Sequence, residues 1–307
     1  MTAIFVSGAL MTTFNQPQED AATVEKREAA RAERVEKLIA RICKASPLGK
    51  KIVESAIERG ISIGIDSGKA DCLGSYMPSM RYVSLNETAS DEKLLSTIVH
   101  ECRHSEQTPT HNHSYSVYSN IAEVRALEAD AMAHECAAVY QMRKAEPATY
   151  AAFCERHGGM MKAYEASFEH DKDMTKAKSE AFKAWYDHAE YVENYDKSVI
   201  DFMGMGMLYA GAYKKELSPK HLAAEFDYVD GAFFDSARAN TVSEKTATNA
   251  AKVERAHVRH VLKLFNRSKI KTSADYFYVR TADGKVEPPK RRRFDVVAAK
   301  AMTDKGR

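Results

Sequence analysis

The sequence predicts an α+β chain, mostly helical, in which a small sheet and two helices form a core and a helical C-terminal region follows. Three observations carry this. Apolar residues recur at helical spacing from Glu19 to about Asn266. Extended runs interrupt that pattern in one place, between Ile61 and Leu85. The last of these runs leads directly into a helix that contains His100, Glu101 and His104.

Taken in order, residues 1–17 read as a leader ending near Pro17, and Glu19 to about Lys44 as a helix with Val35, Leu38, Ile39 and Ile42 on one stripe. Its first half is polar nearly all round, which predicts a solvated start and a packed end. Ser46-Pro47 gives a capping hydroxyl followed by a first-turn proline, and Gly60 a stop, so LGKKIVESAIER is a helix. Ile61, Ile63 and Ile65 alternate with Ser62 and Gly64, the period of a strand. Gly68 and Gly74 are expected to bracket a turn, with Met80–Leu85 a second strand and Ser75–Met77 pairing with it. Asp91 to about Gln107 is a helix whose apolar side holds Leu94, Leu95, Ile98, Val99 and Cys102, ended by Thr108-Pro109. A loop over 110–117 precedes a long helix from about Tyr118 to Lys144. Pro147 starts a short helix that Gly158-Gly159 should stop. Lys172 to Tyr195 is again helical, and Ser218-Pro219 and Ser243 mark further helix starts.

Composition excludes several classes. Lys and Arg total 45 against 43 for Asp and Glu, a net charge of +2, so no global field selects nucleic acid or an acidic partner. The run Lys290–Arg293, beside Pro288-Pro289, reads as a solvated tail. The five cysteines are scattered with no Cys-x-x-Cys pair, against a secreted disulfide scaffold and against a four-cysteine zinc site. The apolar opening MTAIFVSGALMTTF lacks the basic start and cleavage site of a signal peptide, so a cytoplasmic location is expected. Phe202–Tyr213 is too short to span a bilayer, and no membrane association is expected.

His100-Glu101-Cys102-Arg103-His104 carries the chemistry. Two histidines four apart on a helix lie one turn above each other, so each can give a nitrogen to one zinc ion. Glu101 projects beside the position left open for water and can act as the general base. The expected cofactor is zinc. The third ligand comes from elsewhere. His111 stands one residue late for HExxHxxGxxH, and Gln107 occupies the glycine position, so His111 and His113 read as loop histidines. The following helix offers Glu123, Glu128, Asp130 and Glu135. Ile121, Val124, Leu127, Ala131, Ala138 and Met142 define one stripe at about 100° per residue. Glu128 falls inside it, Glu135 lies two turns further along, and Glu123 and Asp130 lie about 100° or more away. A carboxylate on a buried face is costly unless it meets a cation or metal. Glu128 is therefore the preferred third ligand and Glu123 the second choice. The competing reading is a salt bridge from Glu128 to Arg103 or Arg125.

With HECRH followed by a helix bearing LEADAMA, residues 46–145 resemble the gluzincins, in particular compact bacterial and phage members and a group of bacterial metallopeptidases with HExRH and EADA motifs. The resemblance implies a zincin-like core, zinc, a water nucleophile and a protein or peptide substrate. The gluzincin ligand position before Ala129-Asp130 holds Ala126, so Glu128 rests on phase; Asp130 becomes a candidate for orienting a ligand histidine. The expected organisation is a leader and helix over 1–45, a metallopeptidase core over 46–145, a helical region over 146–284 and a basic tail over 285–307. A non-catalytic zinc-stabilised structural or interaction protein, with His111 closing the site, is the alternative.

Overall fold

In the computed structural model, which describes residues 20–67, 72–107, 116–205, 217–265 and 273–289, the chain folds into two compact units. The first takes in Met1–Thr108 and Asp130–Ala184, the second Pro109–Ala129 and Trp185–Arg307. The leader, Gly68, the histidines 111 and 113, most of the 202–213 stretch and the basic run lie outside the described residues.

In the first unit, α1 (Ala21–Ala45) starts where the Asp20 carboxylate accepts from the Thr23 amide at 2.8 Å. Its buried residues, Val35, Leu38 and Ile42, cluster in its second half. Ser46 caps α2 (Pro47–Glu58) through its hydroxyl, which accepts from the Gly49 amide at 2.9 Å. Gly60 ends that helix at φ 76°, a conformation that favours glycine. The sheet has the order β1 (Ser62–Asp66), β3 (Tyr82–Asn86), β2 (Gly74–Met77), with β1 parallel and β2 antiparallel to β3. Gly74 is the first residue of β2, paired with Leu85. Strands β1 and β3 put Ile65, Val83 and Leu85 into one core with Leu94, Leu95, Ile98, Val99 and Cys102 of α3 (Asp91–His104). Ala138 and Met142, from the second half of α4 (Val117–Met142), complete that core.

Helix α5 (Pro147–Asp171) refines one expectation: two helical stretches meet in a kink directly before Gly158-Gly159, and the helix resumes through the glycines where a stop was expected. Both glycines face open space and neither takes a positive φ; the break is only a kink at His157 (φ −135°, ψ 34°). Two helical glycines cost about 2 kcal/mol. Burial of Phe153, Met160, Met161 and Tyr164 on the two sides of the kink, about 1.5–3 kcal/mol each, outweighs that. The expected single helix over 172–195 is also two, α6 (Met174–Trp185) and α7 (Ala189–Met205). Trp185 and Tyr186, where the first of these ends, are both buried.

The second unit holds the first half of α4, α7, three short helices α8 (Pro219–Glu225), α9 (Gly231–Asp235) and α10 (Ala237–Asn240), and α11 (Glu244–Phe265). It also holds a small sheet absent from the sequence reading, in the order β4 (Thr241–Ser243), β5 (Tyr278–Arg280), β6 (Val286–Glu287). Val117, Tyr118, Ile121 and Val124 of α4 pack there against Val199, Ile200, Met203, Val242 and Phe277. Arg125, fully buried, reaches Asp196 with two bonds of 2.7 and 2.6 Å and gives its remaining donors to the carbonyls of Ala239 and Thr241. Among the described residues no helix is long and apolar enough to cross a membrane.

Candidate metal centre

Helix α3 begins with Asp91 and Glu92 in its first turn and ends with Arg103 and His104 in its last, each sign at the helix end that favours it. Beside Leu94, Leu95, Ile98, Val99 and Cys102 in the core, the helix also buries Ser96, Thr97, His100 and Glu101, and His104 is half-buried. The Cys102 thiol is raised far above its ordinary range by burial, with the Glu101 charge adding to it, so it stays protonated and acts as packing.

The imidazoles of His100 and His104 meet edge to face, ring centroids 4.7 Å apart, and their Nε2 atoms lie 3.0 Å from each other. The other nitrogen of each ring is held from behind. His100 Nδ1 sits 3.2 Å from the Glu135 carboxylate on α4. Burial alone would raise the Glu135 pKa; the bond to His100 and the charges of His100, His157 and Arg156 outweigh it and bring it down to about 2. His104 Nδ1 sits 2.8 Å from Gln107 Oε1.

These partners fix where the protons are. A carboxylate only accepts, so the Glu135 contact places the proton of a neutral His100 on Nδ1. Gln107 donates its amide to Asp130 Oδ2 at 2.8 Å, which turns its carbonyl oxygen toward His104 and places that ring's proton on Nδ1 as well. Both Nε2 atoms then present lone pairs to each other, an arrangement that a cation between them stabilises. Zinc–nitrogen bonds of about 2.0–2.1 Å put ligands of a regular tetrahedron about 3.3 Å apart, close to the observed spacing.

Helices α3 and α4 meet here running in opposite directions. His100 faces Glu135, whereas Arg103 and Gln107 face Asp130, with Arg103 Nε 2.8 Å from its carboxylate. Burial alone would raise Asp130; His134 and Arg103 hold it well below the usual carboxylate range. Glu128 stands two residues before Asp130 on the same helix. One ligand atom each from His100, His104 and Glu128 lies within 4.8 Å of the others, the only such group of three among the described residues. Glu101 is 8% exposed and lies against β2, where a Cβ built on Gly74 would come within 3.3 Å of its Cγ.

The burial premise behind the choice of Glu128 does not hold. Helix α4 is buried on nearly every face; Glu123, Asp130 and Glu135 are all more buried than Glu128. Glu123 is not in the cluster of three. Arg103 is engaged with Asp130 and Glu106, and Arg125 with Asp196. Asp130 reaches His104 through Gln107, and it faces His134 directly. Sequence reasoning offered Glu135 only among the candidate third ligands and gave Gln107 no role. The available signal was spacing: Glu135 lies two turns beyond Glu128 on one face, and Gln107 lies within one turn of His104.

A family model described as "Putative metallopeptidase family (DUF6782)" matches residues 14–230. No curated protein and no solved structure matches the chain.

Proposed function

The chain belongs to the putative metallopeptidase family DUF6782, and from that premise we propose that it is a zinc-dependent endopeptidase with a gluzincin-like site. In this reading His100, His104 and Glu128 hold the ion and Glu101 is the general base. The observation that carries it is the pair of Nε2 atoms 3.0 Å apart, each ring turned by an acceptor on its far side. Two imidazole nitrogens and one carboxylate suit zinc and leave one position open. Zinc bound there would supply Lewis acidity, acidifying water and polarising a peptide carbonyl.

The chain's own residues supply the rest. Glu101 takes the proton from the attacking water and returns it to the leaving amine. Glu135 and Gln107 keep the ligand imidazoles in one tautomer and one orientation throughout. Strand β2 is at the edge of its sheet among the described residues and borders Glu101, so an extended peptide can add to it as a further strand. A protein or peptide substrate follows from that geometry, and the five free cysteines suit a reducing, cytoplasmic setting.

The test is Glu101→Gln. The variant should bind zinc like the wild type and lose cleavage of a peptide library by about 10³-fold or more, as expected when a general base is neutralised. Unchanged cleavage refutes the enzyme reading, and purified wild type without stoichiometric zinc refutes the site.

A further inference from the structure

Behind His104 the hydrogen bonds do not stop at Gln107. Asp130 Oδ1 lies 3.2 Å from Nδ1 of His134, one turn further along α4, and the same nitrogen is 2.9 Å from the Asp130 carbonyl. On the other side of that ring, His134 Nε2 lies 3.0 Å from Lys178 Nζ on α6. Four links therefore run from Lys178 through His134, Asp130 and Gln107 to His104, all within the first unit. Asp130 is fully buried, His134 is 5% exposed and Lys178 is half-buried.

We propose that Lys178 and His134 are positioning residues that set how strongly His104 holds its metal, a proposal that rests on the zinc reading above. The direction of every link follows from the charged end. An ammonium group only donates, so His134 Nε2 accepts and its proton is on Nδ1, toward Asp130. Asp130 only accepts, which fixes the Gln107 amide and, through it, the proton on His104 Nδ1. A neutral histidine and a primary amide can each reverse their polarity; the carboxylate in the middle removes both freedoms. Arg103 also holds Asp130, at 2.8 Å, but through Oδ2 and not through the Oδ1 that faces His134. The Asp130 carboxylate and carbonyl both accept from His134 Nδ1, so the tautomer holds by itself; what Lys178 fixes, through Nε2, is the position of the ring. Without Lys178 the ring can shift, the Asp130 carboxylate and the Gln107 amide shift with it, and His104 loses orientation.

Groups behind a metal ligand are worth about 10- to 100-fold in affinity. Lys178 acts across four links and belongs at the lower end, about tenfold. The experiment is zinc affinity by competition with a chromophoric chelator, on the full chain, together with the melting temperature of the metal-free protein. Lys178→Met should weaken zinc binding about tenfold with the metal-free melting temperature unchanged, and Lys178→Arg, which still donates, should bind like the wild type. Gln107→Leu cuts the relay below Asp130, so adding Lys178→Met to it should cost nothing more. His134→Phe, read by the same competition, serves if Lys178→Met does not fold, and should weaken binding at least as much.

Wild-type affinity in Lys178→Met overturns the relay while leaving the zinc site standing. So does a loss that persists undiminished in the Gln107→Leu background. A wild type that takes up no zinc overturns the site and the relay together.

Discussion

Gly74→Ala is the perturbation whose sign the structure decides most sharply. A glycine replaced by alanine at an unstrained backbone gains about 0.4–1 kcal/mol from the unfolded state. Here the added methyl would stand 2.7 Å from Thr97 Cγ2, 3.2 Å from the Ser84 carbonyl oxygen and 3.3 Å from Glu101 Cγ. The closest of these is about 1 Å inside an ordinary carbon–carbon contact. Thr97 cannot turn away freely, because its hydroxyl donates to the Lys93 carbonyl at 2.9 Å, and the Ser84 oxygen is backbone of β3. Strand β2 and helix α3 must therefore separate, at the usual overpacking cost of about 1–3 kcal/mol, which outweighs the entropic gain. The net expectation is a loss of about 1–2 kcal/mol. Because the methyl presses on the stem of Glu101 and not on His100 or His104, zinc affinity should stay at the wild-type value. Cleavage should fall by about 10²-fold if the general base moves by an ångström. Urea unfolding, chelator competition and peptide cleavage read the three quantities separately. A variant as stable and as active as the wild type refutes the packing account, and one that loses zinc refutes the division of labour along α3.

Three further outcomes follow. Glu135 is lowered from its ordinary 4.5 to about 2, so its ion contributes stability that is complete above about pH 4.5 and is lost as pH falls toward 2. The difference of about 2.5 units is worth about 3 kcal/mol, and Glu135→Gln should flatten that part of the acid limb of urea unfolding in metal-free protein. Gly159 is exposed in a helix with nothing near its missing side chain, so Gly159→Ala should raise stability by about 0.5–1 kcal/mol; a loss would mean that the kink at His157 needs the glycine. Arg125→Met should cost about 3–5 kcal/mol in thermal or urea unfolding, because it leaves Asp196 buried without its guanidinium. Asp196, already raised by burial against the pull of Arg125, would then take up a proton, so the deficit should shrink in acid; a deficit independent of pH would point to lost packing instead.

Local chemistry was legible, and long-range docking was not. The Ser46-Pro47 start and Gly60 stop of α2, the alternation in β1 and the apolar side of α3 are written within a few residues of where they act. The same holds for His100, Glu101 and His104, whose relation depends only on helix pitch. Strands β4 to β6 are three, three and two residues long, too short for a period of two to register. Next to Gly158 and Gly159 the helix breaks at His157 but then resumes, because burial contributed by Phe153 and Tyr164, a tertiary effect, outweighs the cost of the glycines. Helix α4 was read as one-sided because its polar residues look like a solvent face. Arg125, Asp130, His134 and Glu135 are instead buried, each against a named partner from α3, α6, α7 or α4 itself. Spacing puts Glu135 on the face of Glu128 and Gln107 within one turn of His104, but their pairing with the histidines, and the contribution of Lys178, exist only once the helices are docked.

That last feature has a kinetic side. A 26-residue helix with a guanidinium, two imidazole-linked carboxylates and a histidine in its buried faces gains nothing from early collapse, since each such group costs several kcal/mol in an apolar environment before its partner arrives. Helix α4 is thus a poor folding nucleus, whereas α2, the strands around it and α3, with an almost purely aliphatic core, are good candidates for one. On that ordering Glu128 and Glu135 reach the two histidines late. A nascent or partly unfolded chain then holds the HExxH segment before these carboxylates are docked beside it, so the proposed metal site is completed only with the fold.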